Sequence, residues 1–167
     1  HKRGYRTKTS EAPLRETLAA AMVLLSGWRP EQPLIDPFCG SGTIPIEAAM
    51  IGMNKAPGLQ RAFAGDQWPI LPADIWQAER EQAAAAQITD STFRILGSDI
   101  DGEVLKLARF HAEKAGVDDR VFFQKLPMED LRSSRKYGCI ITNPPYGERM
   151  GDPAEMEDLY KAMGRVF

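Results

Sequence analysis

A chain of 167 residues has room for one domain with a sizeable core, and its 43% apolar and 26% charged residues exclude a disordered or fibrous class. A net charge of −2 excludes a surface that is basic throughout, so any nucleic acid must meet a local patch or a further domain. The two cysteines, Cys39 and Cys139, fall at predicted strand ends rather than in spaced pairs, which speaks against a disulfide scaffold or a metal site; with no signal peptide and no apolar run of membrane-spanning length, a cytoplasmic protein is expected.

Residues 1–10 are polar and basic, with Lys2, Arg3, Arg6 and Lys8 around Tyr5. They either contact phosphates or form a solvated connector. Residues 11–28 read as a helix, with Pro13 in its first turn after Ser10 or Glu11. Leu14, Leu18, Ala21, Met22 and Leu25 recur at helical spacing as its core face, Gly27 stops it, and Trp28 wedges the corner.

A short apolar run, Pro33-Leu34-Ile35, then reads as a strand. It runs into Asp36-Pro37-Phe38-Cys39-Gly40-Ser41-Gly42-Thr43, a tight turn whose glycines allow a sharp bend and a close ligand approach. No lysine follows the glycines, so this is not a P-loop, and the full dinucleotide pattern is incomplete. An acidic, lysine-free turn suits a ligand with a positive centre better than a pyrophosphate. Thr43 to Met53 reads as a crossover helix with Thr43 as its N-cap and Pro45 tolerated in the first turn. Glu47 either reaches back toward a ligand or faces solvent.

Residues 54–72 read as an irregular insertion, and loops this long are often functional. Arg61, Phe63 and Trp68 suit nucleic-acid or lid contacts, or tuck onto the body. A helix over 73–88 has Ile75, Trp76, Ala83 and Ile88 available for packing. The second strand, Phe93 to Ser98, ends at Asp99, where a ribose diol is usually gripped in such folds. Asp101 is the expected N-cap of a helix from Gly102 to Ala115, with Leu105, Ala108, Ala112 and Ala115 buried and Gly116 as its stop. His111 on that helix reads as a surface or packed residue rather than a catalyst.

Val121-Phe122-Phe123 forms a third strand, followed by Leu126 to Leu131. Tyr137 to Thr142 forms a fourth, whose run Cys139-Ile140-Ile141 fits burial on both faces. Asn143-Pro144-Pro145-Tyr146 ends it, since two prolines cannot continue a central strand, and Gly147 lets the chain turn away. A last helix spans 154–167. Strands alternating with helices predict an α/β fold, a Rossmann-like parallel sheet with helices on both faces and right-handed crossovers. A ligand then sits beyond the carboxyl ends of the strands, where Asp36, Asp99, Met128 and Asn143 all fall. The chain starts without methionine and ends in an uncapped helix, so a slice of a longer protein lacking its later strands is expected.

The tetrapeptide has a chemical logic of its own. The Asn143 side-chain oxygen and the Pro144 carbonyl can both accept hydrogen bonds from an exocyclic amino group, with proline fixing the carbonyl's direction. Tyr146 offers a face on which a planar base stacks. Accepting both N–H bonds aims the nitrogen lone pair at an electrophilic methyl group, so alignment rather than a strong base supplies the acceleration. By itself, the tetrapeptide reads equally as a turn that closes a strand; its weight comes from the glycine turn and Asp99.

Asp36 to Thr43 together with Asn143 to Tyr146 resemble class I, S-adenosylmethionine-dependent amino-methyltransferases. The chain is more similar still to the THUMP-domain-containing ribosomal RNA guanine-N2 methyltransferases of bacteria. The resemblance extends to His1 to Arg6, Ala12-Pro13-Leu14, Asp36 to Ala49, Ala56-Pro57-Gly58 and Asn143 to Arg149. It implies one methyltransferase domain over residues 1–167, an RNA-binding THUMP domain upstream and further strands downstream. It implies that Asp36, Phe38, Gly40, Ser41, Gly42 and Thr43 line the methionine end of S-adenosylmethionine, and that Asp99 with Ile100 takes the ribose. Met128 would border the adenine, and Asn143, Pro144, Pro145 and Tyr146 would hold the target base, most naturally guanine in 23S ribosomal RNA. One departure stands out: Pro127 occupies the place where such enzymes often carry an acid for the adenine amine, with Glu129 and Asp130 slightly late.

A DNA adenine methyltransferase shares the tetrapeptide but normally carries a target-recognition region, which is not evident here. A protein glutamine methyltransferase presents a similar amide nitrogen. A non-catalytic binding module is opposed by the intact Asn143 and Tyr146, and a nicotinamide oxidoreductase by the incomplete glycine pattern.

Overall fold

The structure, a computed structural model, describes residues 3–6, 14–59, 61–90, 92–146 and 153–167. Its elements in chain order are α1 (Glu16–Leu25), β1 (Leu34–Asp36), α2 (Thr43–Gly52), α3 (Ala73–Ala85), β2 (Ile95–Asp99), α4 (Gly102–Ala115), β3 (Val121–Lys125), β4 (Cys139–Ile140) and α5 (Pro153–Val166). Short 3-10 turns at Ala64–Gln67 and Met128–Asp130 interrupt the connections. The four strands form one parallel sheet in the order β3-β2-β1-β4, so the direction of winding reverses beside β1. The predicted α/β, parallel-sheet fold is the one observed.

Pairing register explains which strand residues are inside. Leu34, Ile95 and Val121 are partners across the sheet, as are Asp36, Gly97 and Phe123. These side chains face α2 and α4, and all but Gly97 and Asp36 belong to the apolar core. The alternate row, Phe122–Leu96–Ile35–Ile140, points to the opposite face and is less covered, with Phe122 62% exposed. On the first face α2 packs on α4 and on the sheet, and α1 packs on α2. Nearly all of α2 is buried, which suits its run Ile44-Pro45-Ile46 and Ala48-Ala49-Met50.

α4 follows its local signals. The Asp101 carboxylate accepts from the Glu103 amide at 2.8 Å, and Gly116 ends the helix at φ +62. Leu105, Ala108, Ala112 and Ala115 are buried as expected, and His111 joins them. Lys55 adds a cap of its own, its Nζ donating to the carbonyls of Ala115 and Gly116 at the end of α4.

Several expectations fail for identifiable reasons. The helix predicted over 11–28 is seen from Glu16 to Leu25, and Ser10, Glu11 and Pro13 lie outside the described residues. Its buried residues are Ala19, Ala20 and Val23, while Leu18 and Leu25 point outward. Small residues let α1 approach α2 closely, and an apolar stretch on every side does not announce which face that will be. Trp28 is the predicted wedge: buried, edge-on to Phe93 and donating Nε1–H to the Gln32 carbonyl at 2.9 Å. Gly42, not Thr43, is the N-cap of α2. The fourth strand is two residues long and forms the edge of this sheet, with Ile140 39% exposed rather than buried on both faces. Tyr137 stands at φ +58, outside extended conformation, so the strand cannot begin there. Gly147 lies outside the described residues.

Part of the insertion packs against α3. Phe63 stacks on Trp76 at 6.0 Å, Arg61 lies 4.5 Å over the Phe63 ring, and Arg80 binds the Leu59 and Arg61 carbonyls and the Asp66 carboxylate. Trp68 and Ile70 remain exposed.

The two faces of α1 should separate in stability measurements. Val23→Ala, at a site 1% exposed, is expected to lower the unfolding free energy by about 2 kcal/mol in urea titration. Leu25→Ala, at a site 88% exposed, should stay within about 0.5 kcal/mol.

Candidate active site at the carboxyl ends of the strands

The turn after β1 is tied from several sides. The Cys39 amide donates to the Ser98 carbonyl at 2.9 Å, and the Gly42 amide to the Cys39 carbonyl at 2.8 Å. The Gly40 amide donates to the Asp99 carboxylate at 2.8 Å, and the other Asp99 oxygen accepts from the Asp101 amide at 3.0 Å. Asp99 therefore stitches the end of β2 to the glycine turn, a structural role that the sequence pattern did not reveal. Each carboxylate oxygen has a second lone pair, so hydroxyl donors can still be accommodated.

The two glycines do different jobs. Gly40, at φ +51, has nothing within 4 Å of where a Cβ would stand, so its backbone faces open space that a ligand can enter. Gly42, at φ +83, has no such freedom: a Cβ there would lie 2.7 Å from the Phe123 ring and 3.1 Å from Ala108. Its small size serves packing of the turn onto β3 and α4.

Asp36 lies 1% exposed at the end of β1. One of its oxygens accepts from the Thr142 hydroxyl at 2.7 Å and from the Phe38 amide at 3.2 Å. The first bond ties the end of β1 to the segment just after β4, at the residue immediately before Asn143. Thr142 was not singled out from sequence; its position just before Asn-Pro-Pro, at the end of a strand paired with β1, was the available signal. Burial pushes the Asp36 carboxyl up to about 7; the Thr142 and Phe38 hydrogen bonds oppose this and the nearby Asp99 adds to it. Burial also pushes the Cys39 thiol well above its usual range, with Asp36 and Asp99 adding to it, so Cys39 is an inert buried thiol.

The remaining predicted residues line the same end of the sheet. Phe38 is half-buried and Ser41 and Thr43 are buried within the turn. Ile100 follows Asp99 and is 69% exposed, a free apolar surface at the strand end. The Leu126 amide donates to the Asp99 carbonyl at 3.1 Å, which leads the chain to Met128, buried at the start of its 3-10 turn. Glu129 and Asp130 follow it and are exposed. Asn143, Pro144 and Pro145 are half-buried and Tyr146 is exposed.

Glu47 does neither of the things expected of it. It is buried, accepts from the Tyr5 hydroxyl at 3.0 Å and pairs with the Arg3 guanidinium at 3.2 Å. Arg6 pairs with Glu16 at 3.5 Å and donates to the Leu14 carbonyl. The two arginines described in the basic amino-terminal segment are thus held by the body of the domain, which weighs against the phosphate-contact reading for them. Among the described residues no group of three or more His, Cys, Asp or Glu side chains is placed to hold a metal, and no helix is long and apolar enough to cross a membrane.

Residues 3–167 match the sequence profile of the RMKL-like, methyltransferase domain. The ribosomal RNA large subunit methyltransferase K/L of Legionella pneumophila is 44% identical over all of this chain, which covers 24% of that protein. Among solved structures, "a predicted N6-adenine-specific DNA methylase" from Listeria monocytogenes superposes with a TM-score of 0.93 at 44% identity, over 99% of this chain and 43% of that one. The structure of SMU.472, "a putative methyltransferase complexed with SAH", superposes with a TM-score of 0.94 at 43% identity, again over 99% and 43%. The chain spans less than half the length of the curated relatives it matches.

The titration of Asp36 should be visible in stability. Its ordinary value is near 3.8 and its folded value about 7, so between these the folded chain holds a proton that the unfolded chain has lost. The stability this adds is fully present below about pH 4 and is lost as pH rises through about 7, a change of roughly 4 kcal/mol at most. Asp36→Asn is expected to flatten that slope in urea titrations of the cofactor-free protein.

Proposed function

Because the chain belongs to the family of RMKL-like methyltransferase domains, we propose that it is the catalytic part of an S-adenosylmethionine-dependent RNA methyltransferase that acts on guanine N2 in 23S ribosomal RNA. The observation that carries this reading is the Thr142–Asp36 bond, which ties the end of β1 to the segment leading into Asn143-Pro144-Pro145-Tyr146, while the Gly40 backbone of the turn after β1 faces open space. The fit to the cofactor rests on the same end of the sheet. The backbone at Gly40 leaves room for it, the buried Asp36 and the nearby Asp99 suit a cationic ligand, and Ile100 offers an apolar surface. The SMU.472 relative was crystallised with SAH, the product form of that cofactor, which supports the same assignment.

When bound, S-adenosylmethionine supplies an electrophilic methyl group. The chain's own residues bind and orient. Asp36 and the Phe38–Thr43 turn take the methionine end, Asp99 and Ile100 the ribose, and Met128 borders the adenine. The Asn143 oxygen and the Pro144 carbonyl accept the two amine hydrogens of the base, and Tyr146 stacks on its ring. Those acceptors hold the nitrogen with its lone pair aimed away from the ring, so the barrier falls through alignment. Pro145 makes the backbone after Pro144 rigid, which keeps that carbonyl in place. RNA capture then falls largely to parts of the whole protein beyond these residues, since the net charge is −2 and Arg3 and Arg6 are engaged by Glu47 and Glu16.

Methylation of adenine N6 in DNA is a second reading. The name of the Listeria relative favours it, and that amine presents the same two hydrogens. The ribosomal name of the Legionella relative favours RNA.

Labelled S-adenosylmethionine, incubated with the intact protein and a mixture of unmodified ribosomal RNA and unmethylated DNA, should place label on guanosine after digestion to nucleosides. Label on deoxyadenosine would replace the reading with its rival. Asn143→Ala is expected to cut turnover by roughly 100-fold or more while leaving S-adenosylhomocysteine affinity within about threefold. An equal loss in both would place Asn143 in cofactor binding instead.

A further inference from the structure

A chain of buried contacts, polar at both ends and joined by ring packing, runs from the amino-terminal segment to the glycine turn. His111 is 0% exposed, and its Nδ1 lies 3.2 Å from the Ser41 carbonyl oxygen. A carbonyl only accepts, so Nδ1 carries the proton in this contact and donates it. The Tyr5 ring packs edge-on against the imidazole, with centroids 6.3 Å apart and planes at 61°. Tyr5 is itself held: its hydroxyl donates to Glu47, and Arg3 grips both Glu47 oxygens at 3.3 and 3.2 Å. Burial, with the Glu47 charge beside it, pushes the Tyr5 hydroxyl well above its usual range, so it stays a donor. Farther along the segment Arg6 is pinned to Leu14 and Glu16.

We propose that His111 is a positioning residue of the cofactor site and that the Arg3–Arg6 segment holds it in place against Ser41. The inference rests on the methionine end lying over the Gly40–Thr43 turn. A buried ionic and polar chain is a costly way to fill a core, because apolar side chains of like volume would stabilise it at least as well. What such a chain supplies is a directed contact, and here it ends on the backbone of the turn that faces open space at Gly40. Ser41 lies between the two glycines, whose backbones are the freest of the turn. Fixing its carbonyl fixes the plane of the Ser41–Gly42 peptide. The amino-terminal segment, distant in sequence from the turn, thereby becomes part of the binding site.

The test measures the dissociation constant of S-adenosylhomocysteine by calorimetry on the intact protein, beside a thermal melt of each variant. His111→Leu is expected to weaken binding about tenfold or more. His111→Asn, whose amide can donate from nearly the same place as Nδ1, should bring it back to within about threefold. Tyr5→Leu should weaken it by about threefold to tenfold. Leu105→Ala, on the same helix but in the apolar core, should lower the melting temperature without moving the affinity of the folded protein. His111→Leu binding as tightly as wild type would overturn the proposal, as would His111→Asn binding no better than His111→Leu. Should His111→Leu fail to fold, His111→Asn at wild-type affinity with Tyr5→Leu weakened supports the proposal, and Tyr5→Leu at wild-type affinity overturns it. Wild-type binding combined with label on a nucleoside other than guanosine would remove the substrate reading and leave this one standing. Failure of the wild type to bind would remove both.

Discussion

The turn between Asp36 and Thr43 depends on a requirement that backbone groups taken out of water must find partners. β1 is only three residues long and cannot hold such a turn by itself. Its neighbours do so: Ser98 and Asp99 from the end of β2, His111 from α4, and Thr142 from the end of β4 through Asp36. Each of these bonds crosses between elements, so the sheet order β3-β2-β1-β4 and the shape of the turn are one constraint. Gly42 adds a steric condition, since only a residue without a side chain lets α2 begin against Phe123 and Ala108.

The same arrangement explains an acid buried at the heart of the site. Asp36 loses hydration at the end of β1 and regains part of that loss from Thr142 and the Phe38 amide. In the cofactor-free protein this leaves a carboxyl that is ready to ionise when a cation arrives and costly to ionise without one. Asp99 is less buried and serves two backbone amides, so its carboxylate holds the turn. Two carboxylates thus divide the work by environment rather than by residue type.

The amino-terminal segment shows how charge in a sequence can mislead. Arg3 and Arg6 stand in a run that looks made for phosphate, yet their guanidinium groups meet Glu47 and Glu16 of the domain's own helices. Glu47 sits one turn into α2, where an isolated reading offers only ligand or solvent. The third possibility, a partner 42 to 44 positions earlier, is a property of the fold alone.

What the sequence by itself determined was local. Asp101 and Gly116 bounded α4 because a side-chain oxygen and a left-handed residue satisfy helix ends wherever they occur. The glycine turn after Leu34-Ile35-Asp36 and the prolines after Thr142 marked strand ends because backbone freedom and missing donors act at one position. The parallel α/β arrangement followed from alternation of these units. Tertiary structure alone decided whatever depended on a distant partner. It turned Ala19, Ala20 and Val23 of α1 inward, since a helix apolar on most sides takes the face its neighbour can approach most closely. It made Cys139–Ile140 an edge, since an apolar strand is buried only as far as other elements cover it. It set Gly42 against Phe123 and Ala108, and it drew Tyr5, Glu47 and His111 together, because contacts across 42 and 106 positions of chain leave no periodic trace in sequence.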